Sequence, residues 1–189
     1  MMDRAVIFDV DGTLIDSVDQ HAWAWHEAFA QFKHRVGFRV IRAQIGKGGD
    51  QLLPVFLSEK LVRKEGKGIE AACSAIFRVR YLRRLRPFPQ VRTLFLKLRK
   101  HGWKVAVASS AKKEELDFYT RLCRVDRLLD AETSSDDVQR SKPYHDIFNV
   151  ARRKLQGIAP DRCIVIGDSP YDTMAAKKAG MHSVGFLCG

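Results

Sequence analysis

The sequence has 189 residues, of which 46% are hydrophobic and 29% are charged, a balance typical of a soluble globular protein with one full core. It has no apolar run near the roughly 20 residues that span a membrane, and its first strand begins too early for a signal peptide to precede it. Its four cysteines are scattered, without the paired spacing of a zinc site. We therefore expect a cytoplasmic protein with reduced thiols and no membrane partner.

The net charge of +11 is concentrated in one part of the chain. Residues 17–88 contain 14 lysines and arginines against 6 aspartates and glutamates. Such an excess is compatible with a nucleic-acid-binding module or with a solvated helix face. Because no stripe of aromatic residues and no recognised nucleic-acid motif accompanies the basic residues, we favour the solvated face. The nucleic-acid-binding module stays as an alternative of another class.

The first predicted element is a buried strand that leads into two carboxylates. Residues 5–8 form an apolar run typical of a parallel strand, and Asp9, Asp11 and Gly12 follow in a turn. Side chains two residues apart on a strand point the same way, so Asp9 and Asp11 are expected to share a small space. Two like charges there require either a cation between them or a carboxyl group that stays protonated.

The next segment is predicted to be helical throughout. Its apolar residues recur at helical spacing, over residues 18–33, 38–45, 51–57 and 67–85. Asp16 and Ser17 are interpreted as capping residues of the first of these helices, and Asp50 as the cap of the third.

Beyond the prolines of residues 86–89, the chain alternates between strands and helices. The predicted strands are residues 103–108, 128–132, 163–167 and 183–187, and the predicted helices are residues 91–101, 112–123, 143–156 and 171–179. This alternation predicts an α/β fold whose core is a Rossmann-like, doubly wound parallel sheet. We assign residues 1–16 and 87–189 to that core and residues 17–86 to an all-helical cap domain. Two adjacent linkers would let the cap open and close as a lid.

Further polar residues that are candidates for a functional site lie after the later predicted strands or just before a predicted helix. They are Ser109, Ser110, Lys142, Asp168 and Asp172. Ligands of open α/β sheets bind at the carboxyl ends of the strands. Several carboxylates at one place require a hard divalent cation, and Mg²⁺ prefers a few carboxylates with water and substrate phosphate. A lysine and a hydroxyl group beside them would hold the oxygens of a phosphoryl group.

Four stretches of the sequence carry a resemblance to a known family. They are residues 9–17 (DVDGTLIDS), 107–110 (VASS), 141–143 (SKP) and 167–172 (GDSPYD). In this order and spacing the chain resembles the haloacid dehalogenase superfamily of hydrolases, in the branch with a helical cap inserted after the first motif, over nearly its whole length. Because the second acid of the first motif is aspartate, the resemblance favours phosphate ester chemistry over dehalogenation or phosphonate cleavage.

The resemblance also implies catalytic roles. Asp9 would be the nucleophile that forms an aspartyl-phosphate, and Asp11 would protonate the leaving oxygen and then deprotonate the attacking water. Ser109 and Lys142 would bind the phosphoryl oxygens.

A cofactor is implied in the same way. Mg²⁺ would be held by the Asp9 side chain, the Asp11 backbone carbonyl and Asp168, with Asp172 close by. The ion would screen the anionic nucleophile from the anionic phosphate.

The candidate substrate-binding residues are Thr13, Ser110, His21 and Lys47. Lys47 lies in a glycine-containing loop, residues 45–50, that resembles the specificity loop of related caps, although it is equally compatible with a solvated lysine. His21 and Trp25 stand where the sugar-phosphate mutases of the superfamily have a histidine and a tryptophan. For Ser110 a helix-start role is favoured over phosphate binding.

Together these features predict a Mg²⁺-dependent phosphatase that hydrolyses a small phosphorylated metabolite, as a monomer or weak dimer. A sugar-phosphate mutase, similar to β-phosphoglucomutase, is the nearest alternative, since it would use the same acids and return the phosphoryl group to its substrate. A catalytically idle protein with a regulatory binding role is a further alternative.

Overall fold

A five-stranded parallel sheet lies at the centre of the computed structural model, which describes residues 4–189. The strands of the chain are β1 (Arg4–Phe8), β2 (Ile15–Asp16), β3 (Arg86–Pro87), β4 (Trp103–Ala108), β5 (Ala131–Thr133), β6 (Cys163–Gly167) and β7 (His182–Gly185). In the central sheet their order is β5-β4-β1-β6-β7, and every neighbouring pair is parallel. The predicted α/β fold with a Rossmann-like parallel core is therefore confirmed.

Helices flank this sheet and fill the long connection between β2 and β3. They are α1 (Val18–Gln31), α2 (Phe38–Arg42), α3 (Gly49–Phe56), α4 (Glu59–Arg80), α5 (Val91–Lys100), α6 (Lys113–Leu122), α7 (Asp146–Lys154) and α8 (Pro170–Lys178). Among the described residues, no helix is both long enough and apolar enough to cross a membrane.

The helices α1–α4 are connected to the core through β2 and β3, which pair antiparallel. Ile15 lies opposite Pro87 and Asp16 lies opposite Arg86, so the chain leaves and re-enters the core at neighbouring positions. This arrangement agrees with a helical cap over residues 17–86. The boundaries of the cap and its motion as a lid stay predictions.

The longest helix of the cap begins earlier than the sequence pattern predicts. Helix α4 starts at Glu59 rather than at residue 67, and it runs through two glycines. A glycine within a helix costs about 1 kcal/mol relative to alanine. A Cβ atom on Gly68 would lie 2.8 Å from the ring of Phe32, so the neighbouring helix needs the space that glycine leaves. Packing between cap helices here overrides helix propensity.

The prediction that Pro143 begins a helix is wrong. The backbone N–H of Tyr144 donates to the carbonyl of Ser141 at 3.0 Å, which closes a turn around the proline. Helix α7 begins only after this turn, at Asp146. Lys142, which precedes the proline, therefore lies in this turn and not on a helix.

Two predicted helix caps are also wrong. Asp50 lies inside α3, and its carboxylate accepts hydrogen bonds from the backbone N–H and the hydroxyl of Ser141. Ser17 precedes α1, but its hydroxyl donates to Asp11 at 2.7 Å instead of capping the helix. Asp16 belongs to β2 and is exposed. In the first two cases a longer-range acceptor or donor competes successfully with the local cap.

Strand β1 is buried on both faces of the sheet. On one face Phe8 packs against Phe95, with ring centroids 4.7 Å apart. On the other face Ile7 belongs to an apolar cluster with Ile147 and Phe148 of α7. Full burial of one such side chain contributes about 1.5–3 kcal/mol. This packing fixes the strand and therefore the position of the loop that follows it.

That loop turns at Gly12, where φ is +81°. A Cβ atom there would lie 2.3 Å from Oδ2 of Asp168 and 2.7 Å from Cγ2 of Val18. Gly102 also has a positive φ, +75°, but a Cβ atom on it would meet no atom within 4 Å. A comparison of substitutions at these two glycines therefore separates the effect of backbone strain from the effect of crowding.

We expect Gly102→Ala to lower the free energy of unfolding by about 1 kcal/mol, because alanine resists a positive φ. Gly12→Ala should lower it by about 1–3 kcal/mol more, because the new methyl group must displace the Asp168 carboxylate. Urea denaturation of both variants beside the wild type measures the difference. Equal losses in the two variants would contradict the crowding at Gly12.

Candidate active site

The carboxylate of Asp9 is buried at the carboxyl end of β1. The backbone N–H of Asp9 donates to the carbonyl of Ile166 in β6 at 2.8 Å, which fixes the residue between two central strands. Its Oδ1 accepts a hydrogen bond from Nζ of Lys142, and its Oδ2 accepts one from Oγ1 of Thr13 at 3.2 Å. One oxygen is thus neutralised by a cation, and the other is oriented by a hydroxyl group.

Lys142 is a cation with 1% of its side chain exposed. Besides its bond to Asp9, its Nζ lies 2.8 Å from Oδ1 of Asp172. Burial alone would lower the pKa of Lys142, but the charges of Asp172 and Asp9 outweigh burial and raise it. The lysine therefore stays protonated and offsets part of the negative charge around it.

A third carboxylate, from Asp168 after β6, joins this group. Carboxylate oxygens of Asp9, Asp168 and Asp172 lie within 4.8 Å of one another. Burial, and next the charge of Asp172, raise the pKa of Asp168 to about 6. Burial also raises the pKa of Asp9 well above its ordinary value, although Lys142 opposes the change. One ammonium group does not balance three crowded carboxylates.

The three carboxylates fit a divalent cation that prefers oxygen ligands. The raised pKa values of Asp9 and Asp168 reflect a free energy cost of burial and crowding that a cation between the oxygens would reduce. Hard ions such as Mg²⁺ bind carboxylates of this kind. The side chain of Asp11 is outside this group, so any part it takes in metal binding would use its backbone carbonyl, as the resemblance implies.

Asp172 also orders the start of α8. Its Oδ2 accepts hydrogen bonds from the backbone N–H of Ser169 at 3.1 Å and from the Ser169 hydroxyl at 2.5 Å. The Ser169 hydroxyl accepts one in return from the Asp172 backbone N–H, so the two residues form a capping box. The capping box holds Asp172 beside Lys142.

The structure places Thr13 among the acids rather than at the substrate cavity. It is 3% exposed, and its Oγ1 lies 3.2 Å from Oδ2 of Asp9 and 3.0 Å from Oδ1 of Asp168. One hydroxyl proton serves one of these acceptors at a time. Thr13 therefore contacts two carboxylates, and its predicted part in substrate binding stays a prediction.

Asp11 belongs to a second set of contacts. Its Oδ1 accepts a hydrogen bond from Oγ of Ser17 at 2.7 Å and lies 2.9 Å from Nε2 of His21. Its Oδ2 is 3.5 Å from Oγ of Ser109. Burial would raise the pKa of Asp11, but the charge and hydrogen bond of His21 outweigh burial and lower it. Burial likewise would lower the pKa of His21, and Asp11 raises it, so the pair shares one proton.

His21 connects the cap to the core. It is on α1, and its ring stacks on Phe77 of α4 with centroids 3.9 Å apart and planes 9° apart. Its Nε2 also lies 3.3 Å from the hydroxyl of Tyr119 on α6, and that hydroxyl donates to Glu115. The sequence predictions missed Tyr119 and Glu115. Their spacing of four residues on a helix after Ser109 was the available signal.

A cavity of about 620 Å³ opens between the cap and the core. Of the predicted site residues, its lining contains Asp9, Asp11, His21, Lys47 and Ser110. The lining also includes aromatic, acidic and basic residues from both units, among them Trp25, Phe77, Glu70, Glu115, Lys67 and Lys112. Its size and mixed lining are those of a site for a small polar organic molecule.

The two serines after β4 differ in their contacts. Ser109 is fully buried, and its Oγ accepts a hydrogen bond from the backbone N–H of Ala111 at 3.0 Å. The Oγ of Ser110 has no hydrogen-bond partner among residues 4–189, although it is buried at the cavity. Helix α6 begins only at Lys113, so Ser110 is not a helix-start residue. The hydroxyl of Ser110 is therefore available to a ligand.

Lys47 stands on the cap side of the cavity. Its Nζ donates to Oε1 of Gln44 at 2.6 Å and lies 4.7 Å from the ring centroid of Tyr171, which is on α8. The Tyr171 hydroxyl in turn donates to the carbonyl of Ala43 at 2.8 Å. Burial lowers the pKa of Lys47. These contacts join the cap loop that contains Lys47 to helix α8, which also carries Asp172.

Comparison with known proteins shows the family of the chain. The profile of haloacid dehalogenase-like hydrolases matches residues 6–186. The chain is 29% identical over 207 residues to phosphoglycolate phosphatase of Escherichia coli strain K12, with 98% of this chain and 82% of that protein covered. It is 30% identical over 186 residues to Protein SUPPRESSOR OF QUENCHING 1, chloroplastic, of Arabidopsis thaliana, with 95% of this chain but only 17% of that protein covered.

A solved structure is similar to this chain over most of its length. The crystal structure of a hydrolase from Pseudomonas syringae matches with a TM-score of 0.90 and 28% identity, covering 98% of this chain and 85% of that one. The family profile spans most of the sequence, including all four motifs. The chain thus belongs to the haloacid dehalogenase-like hydrolase family, and it is an enzyme of that family.

Proposed function

We propose that this protein is a Mg²⁺-dependent phosphatase that hydrolyses the phosphate monoester of a small metabolite through an aspartyl-phosphate on Asp9. The observation that carries the proposal is the separation of two adjacent acids into two environments. Asp9 is held by Lys142 as an oriented carboxylate, whereas Asp11 shares a proton with His21. Pairs of acids in contrasting environments are typical of sites that need one nucleophile and one acid/base. The name of the Escherichia coli relative supports phosphate ester chemistry.

In the first step, a carboxylate oxygen of Asp9 attacks phosphorus, and the bond from phosphorus to the ester oxygen breaks. The leaving oxygen takes a proton from Asp11. Because the pKa of Asp11 is lowered, the proton is supplied along the 2.9 Å contact with Nε2 of His21. Oδ2 of Asp11, whose contact with the Ser109 hydroxyl is long at 3.5 Å, is the oxygen proposed to face the substrate.

In the second step, Asp11 accepts a proton from water, and the water oxygen attacks phosphorus of the aspartyl-phosphate. Inorganic phosphate leaves, and the carboxylate of Asp9 is restored. Lys142 remains protonated beside Asp9 throughout and offsets the charge of the phosphoryl group. The unpaired hydroxyl of Ser110 donates to one of its oxygens.

Asp9 and Asp168 would hold Mg²⁺, together with the backbone carbonyl of Asp11, and Asp172 lies next to them. When bound, the ion reduces the repulsion between the anionic nucleophile and the anionic phosphate.

The partner proposed for this site is a small phosphorylated substrate, and the protein is proposed to act as a monomer or weak dimer. Two arginines of the basic segment are already paired, Arg80 with Glu27 and Arg78 with Glu114. Their pairing supports a solvated face over a nucleic-acid-binding surface.

We expect Asp9→Asn to lower release of inorganic phosphate from para-nitrophenyl phosphate, and from a panel of phosphorylated metabolites, by about a thousandfold or more, because the amide is a poor nucleophile. Asp16→Asn is the control, since Asp16 is exposed on β2. It should match the wild type. Equal activity of Asp9→Asn and the wild type would refute the proposed nucleophile.

Analysis of the reaction products separates the phosphatase from the mutase. The mutase is the alternative that His21 supports. With a sugar 1-phosphate as substrate, phosphorus NMR should show inorganic phosphate and no isomeric sugar phosphate. Isomer formation without net phosphate release would instead establish the mutase.

We expect chelation with EDTA to abolish phosphate release and added Mg²⁺ to restore it. Asp168→Asn should raise the Mg²⁺ concentration for half-maximal activity by about tenfold or more, because one carboxylate ligand is lost. Asp161→Asn, near the start of β6 and exposed, is the matched control. Activity that withstands EDTA, or an unchanged Mg²⁺ requirement in Asp168→Asn, would contradict the proposed metal site.

A further inference from the structure

Glu115 brings an acidic side chain to the part of the cavity beside Asp11. It is on α6, and its carboxylate accepts a hydrogen bond from the hydroxyl of Tyr119. That hydroxyl is 3.3 Å from Nε2 of His21, and the same nitrogen is 2.9 Å from Asp11. Asp11, His21 and Glu115 all line the cavity. Apart from the bond with Tyr119, the carboxylate of Glu115 has no hydrogen-bond partner in the part of the chain that the structure describes, so it retains acceptor capacity toward the cavity.

Two lysines of the cavity lining act on a different acid. Lys112 and Lys67 both lower the pKa of Glu70, which burial and Asp50 raise. For Glu115, burial raises the pKa, and the charges that act on it are those of His21, Asp11 and Arg78. Glu115 therefore stands next to the proton donor, whereas Lys112 and Lys67 act on Glu70.

We propose that Glu115 is a specificity-determining residue, which selects phosphate esters carrying a hydroxyl group on a carbon close to the ester oxygen and disfavours esters carrying a carboxylate there. The inference rests on the proposed phosphatase function, because the ester oxygen must lie beside Asp11 for protonation. The substrate class it names is a phosphorylated polyol or sugar rather than a phosphorylated hydroxy acid.

The physical reason is that the Glu115 carboxylate forms a hydrogen bond with a substrate hydroxyl but repels a substrate carboxylate. A substrate hydroxyl donates to the free acceptor positions of Glu115, and a bond to a charged acceptor is stronger than one to a neutral acceptor. A substrate carboxylate has no proton to donate and meets a like charge in a partly buried place. Tyr119 fixes the orientation of Glu115, so the carboxylate does not easily turn away.

The test compares 2-hydroxyethyl phosphate and phosphoglycolate, which carry a hydroxymethyl group or a carboxylate on the carbon that bears the ester oxygen. A longer pair, sn-glycerol 3-phosphate and 3-phosphoglycerate, shares a hydroxyl on the carbon next to the ester carbon and therefore tests the carboxylate alone. We expect the wild type to prefer each alcohol by about tenfold or more in kcat/KM. Glu115→Gln should reduce that preference by about tenfold, chiefly by raising kcat/KM for the acids, because glutamine keeps an acceptor for Tyr119 and loses the charge.

Glu114→Gln is the matched control, since Glu114 is the preceding residue of the same helix, is 81% exposed and is paired with Arg78. It should leave the preference unchanged. The preference is a ratio measured on one preparation, so partial unfolding of a variant cancels from it.

Three results would overturn the inference while the phosphatase proposal stands. They are a wild type that hydrolyses the acids as well as the alcohols, a preference unchanged in Glu115→Gln, and hydrolysis of para-nitrophenyl phosphate without hydrolysis of either alcohol. Failure of the phosphatase proposal itself is distinct, since no phosphate would then be released from any ester.

Discussion

The ion pair between Lys142 and Asp9 is the contact on which the rest of the site depends. Parallel strands bring carboxylates to one edge of the sheet, and at that edge three of them lie within 4.8 Å of one another. Such crowding is costly in a buried place. A protonated lysine with 1% of its side chain exposed reduces that cost, opposes the rise in the pKa of Asp9 and orients its carboxylate. Removal of the lysine alone would leave buried carboxylates without a cation, which is strongly destabilising.

The second constraint is the connection between cap and core through His21. The histidine is fixed by stacking on Phe77 of the cap and contacts Asp11 and Tyr119 of the core. The position of the cap and the proton supply of Asp11 are therefore linked by one side chain. A lid movement that withdrew His21 would also withdraw the proton that the leaving oxygen requires. In the proposed reaction, cleavage is thus tied to a closed cap.

The parts of this site that sequence could predict are those carried by short motifs at strand ends. Asp9, Asp11 and Asp168 follow apolar strands directly, so strand periodicity and the parallel topology suffice to bring them to one edge. The roles of Ser17 and Thr13 were not predictable in this way. Ser17 donates to Asp11, and Thr13 lies within hydrogen-bond distance of Asp9 and Asp168, whereas their neighbours in the sequence are equally compatible with a local cap or a substrate contact.

The contacts between helices that are distant in sequence were harder still to predict. Tyr119 contacts His21 across 98 residues of sequence, and no local pattern predicts that contact. Helix α4 extends over Gly68 because Phe32 of another segment needs the space, which is again a tertiary effect. The fold class was accessible from hydrophobic periodicity, whereas the second set of contacts around Asp11 required the packed structure.

The central claim is that Asp9 carries the phosphoryl group during turnover. The most direct measurement is rapid acid quenching of the enzyme during hydrolysis, followed by proteolysis and mass spectrometry of the peptide that contains Asp9. The account predicts a phosphoryl group on Asp9 that hydroxylamine removes, as expected of an acyl phosphate, and its absence in Asp9→Asn. Turnover with the phosphoryl group on another residue, or with none on the enzyme at any quench time, would contradict it.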